Sequence, residues 1–417
     1  MVVPLLEDKR KNRPKWRFRT SEIHYPIGLL YSLKNFMDIV VHNSLADISV
    51  EQWNAMLADN NPFMRHEFLF GLESTGCVSL ETGWESAHIA IYENSDREHL
   101  LAAMPCYIKG HSYGEYIFDW SWADAHHRYG LEYYPKLSNA VPFTPATGDR
   151  LLVRDPQQRE ELESALFSKA IELCQSRSLS SFHSLFVEQQ QAEKLRKLGC
   201  LTRHSSQFHW RNKDYQNFDD FLAIMSSKKR KNIKRERRRV AETGITYRWL
   251  SESQLDQTAV DTMYRFYART IQHYGAQSYL NKAFFEYLAQ HFSQQTLFLF
   301  AEFDNQVIAG GLYFKSDNAL FGRYWGALDN FHSVHFETCY YQAIEWCINN
   351  GYQRFEAGAQ GQHKLARGLE PSITYSSHWI AHDGFRQAID DFICSEQEHM
   401  KNYQTQMNNH SPFKAEI

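Results

Sequence analysis

The chain has 417 residues, 43% of them hydrophobic and 15% aromatic, with a formal net charge of -4. That length and apolar content allow one or two large buried cores, and the near-neutral charge excludes attraction to nucleic acid or membrane by overall charge, leaving only local basic patches. Seven scattered cysteines with no C-x-x-C pair predict free thiols in a reducing, cytoplasmic setting and no structural zinc, and no apolar run approaches the roughly 20 residues of a membrane-spanning helix.

Residues 1–40 read as an extension whose basic start lacks the uninterrupted apolar run and cleavage site of a signal peptide. Residues 49–57 predict a helix capped by Ser49, with Gln52 three positions on, and Asn61-Pro62 stops it. A second short helix covers 68–73. Two extended runs, 88–92 and 101–107, flank the polar turn 94–98 as a hairpin. The aromatic stretch 111–136 reads as a long loop, and ordered loops of that length inside a domain tend to be functional. PFTPATG at 142–148 leads into a strand at 150–153, followed by helix 160–176, strand 181–187, helix 189–197 and strand 200–210.

Between the halves, nine of the twelve residues 228–239 are Lys or Arg. A helix is expected there, with Ser226 or Ser227 as N-cap and Gly244 as its stop. Such a run is a solvated face, a localisation signal or a phosphate-binding patch, and in the last case Lys228, Arg230, Lys231 and Lys234 are the candidate ligands.

The second half repeats the order of the first, which reads as two tandem α/β domains, with a single large mixed sheet as the competing arrangement. Strands 297–302 and 307–314 form a hairpin, followed by strand 320–328, helix 336–348 ended by Gly351, strand 354–359 and strand 374–381. Gly322 and Gly326 in an otherwise aromatic strand mark a bulge or a close approach to the backbone. The strand at 354–359 delivers Glu356, Gln360, His363, Lys364 and Arg367 to a polar loop opened by Gly358 and Gly361, the kind of position where open α/β sheets carry their chemistry. Glu356, on a strand expected to be buried, suits a general base with a raised pKa, or it simply pairs with Lys364 or Arg354. His363 beside Lys364 offers a proton carrier next to a cation. His335 and Glu337 open the preceding helix. There is no G-x-S-x-G, Walker A, G-x-G-x-x-G or H-E-x-x-H motif, so nucleophile-elbow hydrolase, P-loop kinase, dehydrogenase and zinc protease are all disfavoured.

The stretches PFMRHEFL, HSYGEYIFDWSWADA, YYPKL, PFTPATGDRLL, SSKKRKNIKRERR, GRYWG, HFETCYYQAIE and EAGAQGQHKLARG resemble bacterial N-acyltransferases labelled peptidoglycan biosynthesis or recognition proteins, FemAB-like members of the GNAT superfamily. The resemblance implies an α/β protein of two tandem GNAT-like domains, 41–215 and 246–400, with a basic helical insertion at 216–245 and a tail at 401–417. It implies transfer of an acyl or aminoacyl group to an amine, such as a peptidoglycan precursor, where the sheet splays between strands 320–328 and 354–359. Glu356, His363 and Lys364 then become catalytic candidates. Gly322, Arg323, Tyr324, Trp325, Gly326, His335 and Arg367 would bind the donor, and Tyr113, Trp120, Trp122 and Gln360 the acceptor. Segment 329–335 lacks the glycines of a coenzyme A pyrophosphate turn. Acyl-coenzyme A and aminoacyl-tRNA therefore both stand as donors, with tRNA a candidate partner for the basic segment, and no metal is expected.

Overall fold

The computed structural model describes residues 37–328, 333–358, 361–409 and 411–414. Most of the extension expected at 1–40, together with Gln360, lies outside them. The first half runs β1 (Asp38–His42), α1 (Val50–Asn54), α2 (His66–Ser74), β2 (Trp84–Ser86), β3 (His88–Tyr92), β4 (Leu100–Met104), β5 (Cys106–Lys109), α3 (Trp120–Arg128), β6 (Lys136–Asn139), β7 (Leu152–Val153), α4 (Arg159–Ser176), β8 (Ser181–Val187), α5 (Gln189–Lys197) and β9 (Leu201–Arg211). Two helices link the halves, α6 (Phe218–Ala223) and the basic α7 (Ser227–Glu242). The second half runs β10 (Thr246–Ser251), α8 (Gln257–His273), α9 (Lys282–His291), β11 (Thr296–Phe303), β12 (Gln306–Lys315) and β13 (Ala319–Ala327). It continues through α10 (334–349, with a π-helical stretch at Glu337–Tyr341), β14 (Arg354–Glu356), β15 (Glu370–Ile380) and α11 (Asp383–Asn409).

Caps and turns place these elements much as the residues suggest. Ser49 accepts from the Gln52 amide, Asp256 from Ala259 and Asn281 from Phe284, each supplying an N-cap. Other stretches depart from expectation: the single strand expected at 101–107 is broken at Pro105 into β4 and β5, which lie in different sheets, and the loop expected across 111–136 contains α3, because Asp119 stands at its N-cap position and Trp122, Ala125 and His126 recur at helical spacing to bury one face.

The halves share more than a covalent link. A four-stranded sheet, β1-β3-β4-β7, sits beside an eleven-stranded sheet ordered β10-β11-β12-β13-β14-β9-β15-β8-β6-β5-β2. The last strand of each half lies within the other half's territory: β9 pairs with β14, and β15 pairs with both β9 and β8. The largest core is likewise joint. Phe63 of the first half packs edge-on against Phe314 and Phe321 of the second at 5.3 and 5.1 Å, and Phe68 meets Phe284 at 5.7 Å.

The parallel pair β13 and β14 is where this sheet opens. They pair through Ala319, Leu320 and Phe321 opposite Arg354, Phe355 and Glu356, and no strand among the described residues flanks 322–327 on that side. The other edge of β13 stays on β12, with a register shift opposite Arg323. Strand β14 stops at Glu356, short of the expected 359, because Gly358 turns the chain with φ +78°.

Candidate active site

Glu356 ends β14 directly opposite Phe321 on one side and His209 of β9 on the other. Its side chain is 3% exposed. Arg354 Nε stands 3.0 Å from Oε1 and His209 Nε2 is 3.8 Å from Oε2. Oε1 has no aligned hydrogen-bond donor. Burial raises the pKa of the carboxyl, and the charges of Arg354, Arg323, Arg211 and Arg150 partly oppose that rise. Of the two pairings expected from sequence, Arg354 is the one in contact. His209, its own pKa pushed down to about 3 by burial, is neutral and leans on Gln207 Oε1 at 3.2 Å.

The register shift in β13 brings Arg323 and Tyr324 toward the first half. Arg323 donates to the Phe143 carbonyl and lies 5.7 Å from the Phe63 ring; Tyr324 packs edge-on against Tyr267 at 4.9 Å. The Tyr116 hydroxyl, from the first-half aromatic loop, lies near Arg323 and Tyr324, which oppose the rise that burial causes in its pKa. Trp325 packs elsewhere, with its ring 4.7 Å from His335 at the start of α10.

The loop after β14 closes the other side of the opening. His363 Nε2 is 2.9 Å from the Tyr340 hydroxyl, and its ring lies 6.3 Å from His335. Burial and the neighbouring Arg367 and Lys364 charges push the His363 pKa down to about 4, and burial takes His335 to about 3. Lys364, 2% exposed, donates to the Gly358 carbonyl at 2.7 Å, and burial lowers its pKa to about 7. A lysine at that value exchanges its proton near neutrality, which makes it as capable a proton carrier as His363.

Three expected site residues carry structural work instead. Gly326 lies under α8, where a Cβ would collide with the Phe266 carbonyl and stand 2.8 Å from Thr270 Oγ1; its lack of a side chain serves helix–strand packing rather than a donor. Trp122 is fully buried against His378 and His183, so it cannot stack on an acceptor, whereas Tyr113 and Trp120 are 51% and 43% exposed with their rings 5.0 Å apart. Arg367 is spoken for. It stacks on Phe336 at 3.4 Å, donates to the His363 carbonyl at 2.9 Å and meets both carboxylate oxygens of Glu236 at 3.2 Å. At Gly322 a Cβ would likewise approach the protein's own side chains, Tyr313 at 3.3 Å and Phe355 at 3.4 Å.

Glu236 ties the basic helix to the site. It also accepts from Tyr341, and its neighbour Arg237 reaches Glu337 at 3.1 Å and Glu345 at 2.6 Å. These two residues turn one side of α7 onto α10, leaving Lys228, Lys231, Arg235, Arg238 and Arg239 exposed on the rest. Lys234 pairs with Asp219 at 2.8 Å, and Arg230 is half-buried and reaches the Ala223 carbonyl. The sequence gives no sign of Glu236 and Arg237 as site residues, because a run of like charges hides which members face inward.

Among the described residues no group of His, Cys, Asp and Glu is arranged to hold a metal ion, and no helix is long and apolar enough to cross a membrane.

No curated protein matches the chain significantly. Among solved structures, FemX is similar over 85% of this chain and 100% of its own, with 10% identity and a TM-score of 0.50. The C-terminal domain of a putative lysylphosphatidylglycerol synthetase from Agrobacterium fabrum is similar over 84% of this chain and 97% of its own, at 11% identity and a TM-score of 0.51. A tandem GNAT protein from the clavulanic acid biosynthesis pathway aligns with 83% of this chain and 99% of its own, at 11% identity and a TM-score of 0.42. These likenesses concern the fold alone. The sequence model for the FemAB-like family, described as peptidoglycan biosynthesis/recognition, matches residues 44–415, and the chain belongs to that family.

Proposed function

We propose that the chain transfers an acyl or aminoacyl group from an activated, phosphate-bearing donor to an amine of a peptidoglycan-precursor acceptor. The observation that carries this reading is the opening between β13 and β14, with buried Glu356 at its edge. Strand groups of 322–327 free of a sheet partner can seat the donor's chain and polarise its carbonyl. Glu356 takes a proton from the acceptor ammonium, the freed amine attacks the carbonyl carbon, and the tetrahedral adduct expels the thiolate or ribose oxygen. Lys364, partly protonated near neutrality, returns a proton to that leaving group and takes up the second proton shed by the adduct's nitrogen, and Glu356 releases its own proton to solvent, so protons balance across the cycle.

Both acyl-coenzyme A and aminoacyl-tRNA fit this chemistry. The exposed cations of α7, tied to the site loop through Glu236 and Arg367, favour a donor rich in phosphates. Tyr113 and Trp120 offer the acceptor a pair of exposed rings. The seven free cysteines suit a reducing cytoplasm, where such donors are made. Incubating the protein with a muropeptide and either acyl-coenzyme A or aminoacyl-tRNA tests the proposal: product heavier by one acyl group, with only one donor, is the expected result. Muropeptide binding with no turnover from either donor would instead support recognition without catalysis, for which the exposed Tyr113–Trp120 pair is the favouring feature.

A further inference from the structure

The two halves treat the same topological point differently. In the second, β13 leaves β14 after three paired residues but stays on β12, so the sheet simply opens. In the first, the corresponding strand β6 also pairs in parallel over three residues, Leu137, Ser138 and Asn139 with Phe182, His183 and Ser184 of β8. Past Asn139, however, the chain quits the sheet and resumes as a strand at β7, which pairs with β4. Pro142 and Pro145, which cannot donate to a ladder, lie in the excursion.

The excursion crosses to the second half. The Phe143 ring lies flat on Tyr279 at 5.0 Å and 9°, the Phe143 carbonyl accepts from Arg323 of β13, and the Pro145 carbonyl accepts from Gln207 at 2.6 Å. Gln207 in turn meets His209, which faces Glu356. The first half thus reaches Arg323 directly and Glu356 through two side chains.

At the root of the excursion sits Arg150, 0% exposed. Its Nε donates to the Leu185 carbonyl of β8 at 2.9 Å, Nη1 to the Gly148 carbonyl at 3.2 Å and Nη2 to the Ala146 carbonyl. Its own amide donates to Gln191 at 2.9 Å, and its carbonyl accepts from Asn139, the last residue of β6. One guanidinium therefore occupies the space where β6 and β8 part and satisfies carbonyls that the parting leaves without a strand. Buried carbonyls without donors would each be costly, and a planar fork suits this task as no other side chain does.

We propose that the first half has no donor opening of its own: Arg150 closes it and, by clasping 146–150, acts as the positioning residue that holds Phe143 and Pro145 as a wall of the site in the second half. The wall role rests on the transferase reading above; the clasp does not. One donor molecule binds per chain.

Hydrogen exchange on the full chain, comparing wild type with Arg150→Met, reads the clasp directly. The amides of Phe143 and Gly148 are bonded to the Gly114 and Phe186 carbonyls, so slow exchange is expected there in the wild type. At least roughly tenfold faster exchange over 143–148, with β9 still protected, is expected in the variant; unchanged exchange there overturns the clasp. If Arg150→Met does not fold, Arg150→Lys, which keeps the charge and loses the fork, is read the same way. In turnover, Arg150→Met is expected to lower kcat/KM and to move the acid limb upward, because a cation near Glu356 is removed. Loosened exchange with unaltered turnover and pH profile overturns the wall role. A wild type that turns over neither donor counts against the transferase reading, with the exchange result still judging the clasp. Calorimetric titration with acetyl-coenzyme A and with aminoacyl-tRNA closes the test, since two donors per wild-type chain would refute closure of the first half.

Discussion

Glu356 shows how one position acquires chemistry from its surroundings. Residue type alone makes it an ordinary carboxylate; a strand end between Phe321 and His209 buries it and raises its pKa. A base with a raised pKa is active once deprotonated, so transfer should rise with pH through an acid limb above the usual glutamate range. Glu356→Gln should fold normally, lose that limb and slow transfer by about 10²- to 10⁴-fold at neutral pH; near wild-type rates would remove Glu356 from the role. Gly326 teaches the opposite lesson. Its glycine is required by Phe266 and Thr270 of α8, so Gly326→Ala should cost about 1–3 kcal/mol of stability, read by urea unfolding. An unchanged midpoint would show that helix and strand are not so closely held.

At the scale of elements, α7 is a basic helix with two faces. Glu236 and Arg237 hold it on α10 and the site loop, while Lys231, Arg235 and Arg239 remain exposed. Reversing those three charges should weaken tRNA binding and flatten its salt dependence, by roughly one unit of log–log slope for each phosphate no longer neutralised, without shifting the melting temperature. Equal slopes for variant and wild type would return the run to a solvated surface. The β8–β15 seam carries a different device, His183 opposite His378 with their Nδ1 atoms 2.5 Å apart. Burial lowers both pKa values well below the ordinary 6.5, helped for His183 by the Lys136 charge and for His378 by Arg203. Both rings are neutral in the folded state, whereas the unfolded chain takes up protons near 6.5. Stability is therefore full above that pH and falls as pH drops below it, at up to about 1.4 kcal/mol per pH unit for each histidine. Thermal unfolding at pH 7.5 and 5.0 should show a larger loss in wild type than in His378→Gln; equal losses would locate the acid sensitivity elsewhere.

For the molecule as a whole, the exchanged strands decide the cooperativity. Neither β14 nor β15 keeps its β9 neighbour if the halves are separated, and the aromatic core at Phe63, Phe314 and Phe321 is cut in two. Calorimetry of the full chain should give one unfolding transition, and the isolated halves should not fold; two well-separated transitions would mean that each half stands alone. Much was legible beforehand. Helix caps, hairpin turns, the helical run at 227–242, the irregularity at Gly322 and the polar loop after Glu356 are all local, written in side-chain type and spacing over a few residues. What local pattern cannot carry is partnership between distant segments. That Trp122 is buried, that Arg367 belongs to Glu236, that β9 and β15 change places and that Arg150 fills the first half's opening depend on residues brought together from far along the chain. The sequence by itself determined which segments are strands and helices and where a proton-bearing loop lies; only the tertiary structure decided which side chains face the opening and which are taken by other partners, because burial and long-range pairing set a charge's partners and its pKa.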